Sequence, residues 1–249
     1  MRTVFDIGMF DGADTRYYLE EGYRVVAVEA NPRLVENAAK KFHGYISSGQ
    51  LFIVNRIIGS DNNKKTLYVS GDDLGSSSIL EDRVAGRNPA GSYDVEGITI
   101  QELIKNHGIP YFLKVDIEGA DHLCVQGLSN DIRPEFLSFE AGSNAEELVA
   151  HAHAIGYSQF KVINQCNFLT LGRERRLYDR VILRMIRMLG YAEPKEVRRA
   201  GRFFRLGHSS GPAPWCSDGS WVSKNELISQ WRRLCASGDT SYWYDIHAR

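Results

Sequence analysis

The sequence has no long apolar run. A membrane-spanning helix needs roughly 20 consecutive apolar residues, and no segment of the 249-residue chain approaches that length. The first residues also lack the succession of basic, apolar and small residues that marks a secretory signal peptide. With 43% hydrophobic and 24% charged residues, the composition is that of a folded protein, which we expect in the cytoplasm.

Cysteines are few and widely spaced. The four are Cys124, Cys166, Cys216 and Cys235, and no two of them form a Cys-x-x-Cys pair. This spacing indicates neither a disulfide framework nor a zinc site. We therefore expect four reduced cysteines with structural roles.

Histidine forms no metal-binding pattern either. The nearest approaches to one are the pair His151 and His153 and the pair Asp245 and His247. Neither spacing matches a known metal motif, and a histidine in a folded protein is more often simply hydrogen-bonded. No metal is predicted.

Over the whole chain, neither positive nor negative charge is in large excess, but the charged residues are unevenly distributed. The net charge is −1, whereas residues 173–205 hold eleven Lys or Arg and four acids. Five arginines there recur on one face of a predicted helix: Arg173, Arg176, Arg180, Arg184 and Arg187. This face is either simply solvated or docks an anionic acceptor, such as a phosphorylated or lipid-linked sugar, or a membrane surface. The acidic remainder of the chain disfavours nucleic acid.

The dinucleotide fingerprint Gly-x-Gly-x-x-Gly is also absent. After the predicted first strand the chain continues Gly8-Met-Phe-Asp-Gly12, without the second close glycine that pyrophosphate contact requires. Such a turn still brings backbone N–H groups close to a ligand. Glu29 ends the second strand about 20 residues later, where an acid accepts hydrogen bonds from a ribose diol, and Asp6 can orient the turn or a ligand ammonium. S-adenosylmethionine therefore fits better than NAD.

A second group of polar residues interrupts a predicted central strand. Lys114 and Asp116 lie two residues apart, hence on one face, in the run Leu113 to Gly119. A parallel strand buried on both faces is normally apolar, so charges there need partners. We expect Lys114 to pair with Asp116 or with Glu140. The alternative is a purely structural ion pair, but ligands bind at the carboxyl ends of such strands.

The hydrophobic pattern alternates strands and helices, which predicts a doubly wound α/β sheet. Strands are expected at 3–7, 24–29, 51–58, 111–116, 135–140, 159–164 and 242–247, with a short extra one at 66–70. Helices are expected at 15–21, 33–41, 100–106, 119–128, 145–155, 175–189 and 223–234. We therefore predict a core of residues 1–167 plus 241–249 and a helical, basic insertion of residues 168–240 that acts as a lid or binds the acceptor.

Six motifs in order resemble the FkbM family of S-adenosylmethionine-dependent methyltransferases. They are residues 4–15, Val25 to Pro32, Gly75 to Ser78, Ile98 to Leu103, Leu113 to Asp121 and Phe139-Glu140. The resemblance implies the class I methyltransferase fold, a seven-stranded sheet in the order 3-2-1-4-5-7-6 with strand 7 antiparallel. It also implies O-methyl transfer to a hydroxyl of a small molecule or a sugar-containing acceptor.

The resemblance assigns roles to particular residues. The turn and its surroundings would bind the cofactor through Asp6, Gly8, Phe10, Asp11, Gly12 and Thr15. The ribose and adenine would meet Glu29, Ala30, Asn31, Ile57, Ile58 and Ser77. The methyl group would lie beside Asp116 and Glu118, one of which would be the base, with Lys114 and Glu140 as orienting catalytic groups.

Two departures from the family pattern concern Asp121, where the family usually has Glu, and the absence of helices before the first strand. The second leaves the cofactor face without its usual cover, which the insertion at 168–240 could supply. Two other functions stay open: a Rossmann-type oxidoreductase or epimerase that binds a nucleotide, and a cofactor-binding module without turnover.

Overall fold

A computed structural model describes most of the chain. It covers residues 1–71, 77–78, 89–117, 119–171, 196–206, 208–237 and 243–249. Glu118 and the predicted arginine-rich helix at 175–189 lie outside the described residues. Within those ranges, no helix is both long and apolar enough to cross a membrane.

Short, largely apolar and buried runs form the central strands of the main sheet. Across the described ranges the strands are β1 (Thr3–Ile7), β2 (Arg24–Val28), β3 (Leu51–Val54), β4 (Ile57–Ile58), β5 (Lys65–Ser70), β6 (Pro89–Val95), β7 (Gly97–Ile98), β8 (Phe112–Val115), β9 (Phe136–Glu140), β10 (Phe160–Asn164), β11 (Leu169–Thr170), β12 (Glu196–Arg199), β13 (Arg202–Arg205) and β14 (Tyr244–Ala248).

Several helices begin directly after a polar residue whose side chain caps the first turn. The helices are α1 (Ala13–Glu20), α2 (Pro32–Lys41), α3 (His43–Ser47), α4 (Ile100–His107), α5 (Asp121–Val125), α6 (Ala145–Ala154) and α7 (Lys224–Ala236). Asn31, Thr99 and Ser223 each accept a backbone N–H of the first turn with their side chains, and all three are residue types favoured at helix N-caps.

The main sheet has the order β11-β10-β14-β9-β8-β1-β2-β3. Without the short edge strand β11, this is the predicted order 3-2-1-4-5-7-6. β14 pairs antiparallel with both β9 and β10, whereas β1, β2, β3, β8 and β9 run parallel. The predicted class I methyltransferase sheet is confirmed, with an eighth strand added at its edge.

The two faces of the sheet are covered differently. Helices α4 to α7 pack on one face with the larger apolar cluster. The other face carries α1 and α2 and, farther along, Ala213, Trp215 and Trp221 from an irregular segment. Beneath that segment the strand register sets five buried polar side chains side by side, which we call the polar row: Asp6, Lys114, Ser138, His247 and Lys161.

The structure corrects three of the predicted elements. Residues 51–58 are two strands rather than one, because Asn55 donates from its side chain to the carbonyls of Glu29 and Ala30, and β4 pairs with β7 away from the main sheet. The helix expected at 119–128 is shorter, since Gly119 has a φ of 90°. Residues 196–205, expected within a helical insertion, form the β12–β13 hairpin.

Candidate active site

A cleft opens where β1, β2 and β8 end. Its lining includes three of the predicted catalytic residues, Lys114, Asp116 and Glu140. The fourth, Glu118, lies outside the described residues. The cleft is also lined by seven of the predicted cofactor residues, which are Gly8, Phe10, Glu29, Ala30, Ile57, Ile58 and Ser77. The strand order therefore brings the predicted sites together at one edge of the sheet.

The turn after β1 requires glycine at position 8. Gly8 has a φ of 82°, and a Cβ built there would lie 1.8 Å from the carbonyl oxygen of Asp116. The backbone N–H groups of Gly8 and Met9 both donate to the carbonyl of Val28. The turn is therefore pinned between the ends of β2 and β8.

Glu29 closes the cleft at the end of β2. Its Oε2 accepts the N–H of Phe10 at 2.9 Å, and its Oε1 accepts the N–H of Asn31 at 2.8 Å. Burial raises the pKa of this carboxyl to about 7, even though both amide hydrogen bonds act in the opposite direction. Each oxygen keeps lone-pair capacity toward the cleft, which suits a ligand with neighbouring hydroxyl donors.

Five predicted cofactor residues lie behind the cleft lining rather than in it. Asp6 accepts from the Thr15 hydroxyl at 2.6 Å, Gly12 precedes α1 against the ring of Phe42, and Asn31 caps α2. The fifth is Asp11, whose Oδ1 accepts the N–H of Ala13 at 3.0 Å. These residues shape the turn and the two helix starts that surround the cleft.

Lys114 is the centre of a buried cluster of carboxylates. Its Nζ lies 3.2 Å from Asp6 Oδ1, 3.4 Å from Asp14 Oδ2 and 3.7 Å from Asp116 Oδ2. Burial by itself lowers the pKa of this ammonium, but the three carboxylates outweigh it and hold the pKa well above its usual value. Lys114 is therefore positively charged and paired with three carboxylates.

The prediction that Lys114 pairs with Asp116 or with Glu140 is confirmed for Asp116. Asp116 pairs with it, but at the longest of the three distances, and Glu140 is not among its ion-pair partners within the described residues. Asp14, which sequence reasoning missed, replaces Glu140. The reason is geometric, because α1 passes directly over Lys114, while Glu140 lies at the end of β9, beyond Ser138, which is the β9 residue opposite Lys114.

Carboxyl groups crowd the other end of the cleft. Glu140 at the end of β9 stands opposite Asp245 of β14, and Asp121 accepts the N–H of Glu140 at 3.3 Å. Burial, helped by the charge of Asp116, raises the pKa of Asp121 to about 6 and that of Asp245 well above its usual value. A ligand that brings positive charge or hydrogen-bond donors would favour the ionised forms of Asp121 and Asp245.

Asp245 was not among the predicted catalytic residues. It is 2% exposed, and its Oδ1 accepts from Gln165 Nε2 at 2.6 Å. Its Oδ2 has no hydrogen-bond partner among the described residues. Gln165 and the exposed ring of Trp243 line the cleft nearby. No local pattern marks these residues, because β14 joins the sheet from far along the chain.

Two further cleft residues, His208 and Ser209, come from the segment predicted as an insertion. His208 Nδ1 lies 2.8 Å from Asp11 Oδ2, and the Ser209 hydroxyl donates to Asp14. No short-range pattern in the sequence points to these contacts, because the partners lie almost 200 residues apart.

Two of the histidines weighed as metal ligands, His151 and His153, have other partners. His151 contacts the carbonyl of Leu128 at 3.2 Å and His153 that of Tyr157 at 3.0 Å, and His247 is buried in the polar row. Among the described residues, no group of three or more His, Cys, Asp or Glu is arranged to hold a metal ion.

The chain matches one family model, that of the methyltransferase FkbM domain, over residues 6–178. This range includes the glycine turn, Glu29, Lys114 and Asp116. No curated protein matches the chain significantly in sequence.

Solved methyltransferase structures show a distant likeness. Methyltransferase FkbM from Methylobacillus flagellatus KT is 16% identical, with a TM-score of 0.42 over 63% of this chain and 38% of that one, so this chain spans well under two thirds of that protein. An S-adenosylmethionine-dependent methyltransferase from Thiobacillus denitrificans, solved with S-adenosyl-L-homocysteine, is 12% identical, with a TM-score of 0.34 over 100% of this chain and 84% of that one. Phosphoethanolamine N-methyltransferase 2 from Haemonchus contortus, solved with S-adenosyl-L-methionine, is 11% identical, with a TM-score of 0.38 over 99% of this chain and 48% of that one.

Proposed function

This chain belongs to the FkbM methyltransferase family, and from that premise we propose that it is an S-adenosylmethionine-dependent O-methyltransferase acting on a hydroxyl of a small-molecule or sugar-containing acceptor. One observation carries the proposal. Glu29, suited to a ribose, and Asp116, suited to accept a proton, line one cleft on either side of the glycine turn. The cytoplasm is the expected place of the reaction.

The residues of the cleft fit this cofactor. Glu29 offers carboxylate oxygens where β2 ends, and Ile57 and Ile58 give an apolar wall for an adenine ring. The turn at Gly8 approaches the strand ends so closely that a Cβ would not fit. The carboxylates exceed the cations in this region, which suits a ligand that carries a sulfonium and an ammonium.

When bound, the cofactor supplies a methyl group on a positively charged sulfur. An acceptor hydroxyl held in line with that methyl group would take it up, and the hydroxyl proton would pass to a carboxylate of this chain. We assign that carboxylate to Asp116 or Glu118. A positioned base of this kind contributes roughly a hundredfold or more to the rate, and holding the reactants in line contributes further.

Lys114 and Glu140 act on this chemistry by orientation. Lys114 lies 3.7 Å from Asp116 Oδ2 and is itself fixed by Asp6 and Asp14, so it limits the positions that Asp116 can take. Glu140 lines the cleft on the strand next to β8, where its carboxylate can accept a hydrogen bond from an acceptor hydroxyl.

The acceptor's remaining groups would meet residues outside the sheet. Trp243, 61% exposed at the mouth of the cleft, offers a flat apolar surface of the kind that packs on a sugar ring. The β12–β13 hairpin carries Arg198, Arg199 and Arg205, which supports docking of an anionic or lipid-linked portion of the acceptor there. The segment 168–240 would then serve both as lid and as acceptor-binding region.

The first experiment is calorimetric titration of the purified protein with S-adenosylmethionine, S-adenosylhomocysteine and NAD. We expect micromolar binding of the first two and none of NAD. Glu29→Ala should weaken binding at least a hundredfold, whereas Glu36→Ala, on the exposed face of α2, should leave it unchanged. Binding of NAD alone would favour the nucleotide-dependent oxidoreductase or epimerase and overturn the proposal.

The second experiment separates an enzyme from a cofactor-binding module. Hydroxylated acceptors are screened for S-adenosylhomocysteine formation, and Asp116→Asn and Glu118→Gln are compared with the wild type. We expect one of the two variants to lose about a hundredfold in turnover while still binding the cofactor. If both keep full turnover, neither carboxylate is the base.

A further inference from the structure

Residues 202–206 and 208–211 lie along α1 and the glycine turn. Arg202 contacts Glu20 at 3.3 Å and Glu21 at 2.6 Å, and the ring of Phe204 meets that of Tyr17 with 5.1 Å between centroids. Phe204 is buried, 3% exposed. This segment therefore packs on the core from the outer end of α1 toward the cleft.

The same segment reaches the cleft through His208. Its imidazole stacks on the ring of Phe10 at 5.5 Å with an interplanar angle of 27°, and its Nδ1 lies 2.8 Å from Asp11 Oδ2. The next two residues hold Asp14, through the Ser209 hydroxyl and the Ser210 N–H. His208 is thus fixed from three sides at a position that lines the cleft.

The contact with Asp11 sets which hydrogen bonds His208 can make. An ionised carboxylate only accepts hydrogen bonds, so Nδ1 carries a hydrogen and donates it. In the neutral imidazole, Nε2 is then an acceptor. Phe10, on which the ring stacks, also donates its backbone N–H to Glu29. Phe10 therefore contacts both His208 and the carboxylate proposed to bind the ribose.

We propose that His208 is a cofactor-binding residue, held by Asp11, whose Nε2 accepts a hydrogen bond from a ribose hydroxyl or from the ammonium of S-adenosylmethionine. The inference rests on the proposed function and adds to it a contact from the far part of the chain.

The test compares variants that remove one feature of His208 at a time. His208→Ala loses the ring and the acceptor, and we expect the Kd for S-adenosylmethionine to rise about tenfold, the loss of a single hydrogen bond and its ring contact. His208→Phe keeps the ring on Phe10 but lacks the acceptor, so its loss should be smaller. Phe203→Ala, on β13 just before His208 and with a side chain 70% exposed, is the matched control and should bind as the wild type does.

Asp11→Asn tests the role of the carboxylate. Asparagine can donate to Nδ1, which moves the hydrogen to Nε2 and turns the acceptor into a donor. Asp11→Asn should therefore weaken binding about as much as His208→Phe. The double variant should be no weaker than either single one, because both changes remove the same hydrogen bond.

Titration of 5′-methylthioadenosine, which lacks the amino-acid group, identifies the partner. An equal loss for both ligands in His208→Ala assigns the contact to the ribose, and a loss for S-adenosylmethionine alone assigns it to the ammonium. If all three variants bind both ligands within twofold of the wild type, the inference is wrong while the proposed function stands. If the wild type binds neither ligand, the proposed function fails as well. Should His208→Ala not fold, His208→Phe and Asp11→Asn decide.

Discussion

The two ends of the cleft hold their carboxylates in different ways. At the end of β2, both oxygens of Glu29 accept backbone N–H groups, from Phe10 and Asn31. At the ends of β9 and β14, Asp245 has one oxygen bonded to Gln165 and one with no hydrogen-bond partner among the described residues. The first end is shaped in advance by the backbone, whereas the charges of the second depend on what binds there.

Lys114 lies between the two ends of the cleft and pairs with carboxylates on both sides. It is bound to Asp6 and Asp14 beneath the glycine turn and reaches Asp116 on the acceptor side. A single buried ammonium therefore supports the cofactor end structurally and the acceptor end electrostatically. The comparison can be tested most directly by removing it.

Lys114→Met should have the largest effect. Without the ammonium, Asp6 and Asp14 remain buried with no counter-charge, a loss that typically costs about 3–5 kcal/mol. We expect the melting temperature to fall by roughly 10 °C or more. Lys40→Met removes an exposed ion pair with Glu36 and should leave the melting temperature unchanged. A drop of only a degree or two for Lys114→Met would contradict the central role given to this residue.

Gly8→Ala should have the next largest effect, and Gly22→Ala is its control. Both glycines have nearly the same φ, 82° and 84°, but a Cβ at Gly22 meets no atom within 4 Å, whereas at Gly8 it meets the carbonyl of Asp116. Backbone strain alone should cost Gly22→Ala about 1–2 kcal/mol. Urea unfolding should show at least about twice that loss for Gly8→Ala. Equal losses would mean that the turn and β8 do not constrain each other.

Asp245→Asn should stabilise the protein, in contrast to Asp6→Asn. Because burial and the charges of Asp116 and Glu140 raise the folded-state pKa of Asp245, its ionisation opposes folding as pH rises above the unfolded value. The Asn variant should therefore melt a few degrees higher than the wild type at pH 8, and the difference should shrink at acidic pH.

Asp6→Asn should lower the melting temperature at pH 8, since Asp6 is paired with Lys114 and accepts from Thr15. Thermal melts of both variants across pH check the contrast. If the two substitutions shift the melting temperature in the same direction, the two ends of the cleft do not differ as described.

The smallest effect concerns the pH dependence of cofactor binding. Glu29 has a folded-state pKa raised to about 7 by burial, and hydroxyl donors bind its ionised form better. The affinity for S-adenosylmethionine should therefore rise by up to about tenfold between pH 6 and pH 8, with release of a proton. Calorimetry in two buffers of different ionisation enthalpy measures that proton. In Glu29→Gln the affinity should no longer depend on pH in this range. If the pH dependence of the affinity is unchanged in that variant, it arises from another group.

Sequence patterns predicted the strands of the sheet well, because a buried strand leaves a local signal. β1, β2, β8, β9 and β10 lie within two residues of their predicted bounds. The β12–β13 hairpin was missed, because the sequence analysis assigned no element to residues 196–205 within the predicted insertion. Its signal was the pair Ala200-Gly201, both with positive φ, which suits a two-residue hairpin turn.

The contacts that His208 and Ser209 make in the site were harder to predict. The partners of Glu29 are near it in sequence, so a short pattern contains them. The contacts of Asp11 with His208 and of Asp14 with Ser209 span almost 200 residues. No spacing rule reaches that far, and only a folded chain shows which distant residue completes the cleft.

The position of β14 has a consequence for how the chain assembles. β9 and β10 are consecutive strands of the main sheet's far half but do not pair, because each bonds to β14, which begins about 80 residues after β10 ends. Closing so long a loop is slow relative to forming local contacts. Until β14 docks, two strand edges present unpaired N–H and carbonyl groups, which are templates for pairing with another chain. Aggregation through these two strand edges should therefore compete with correct refolding. A peptide with the β14 sequence should suppress that aggregation.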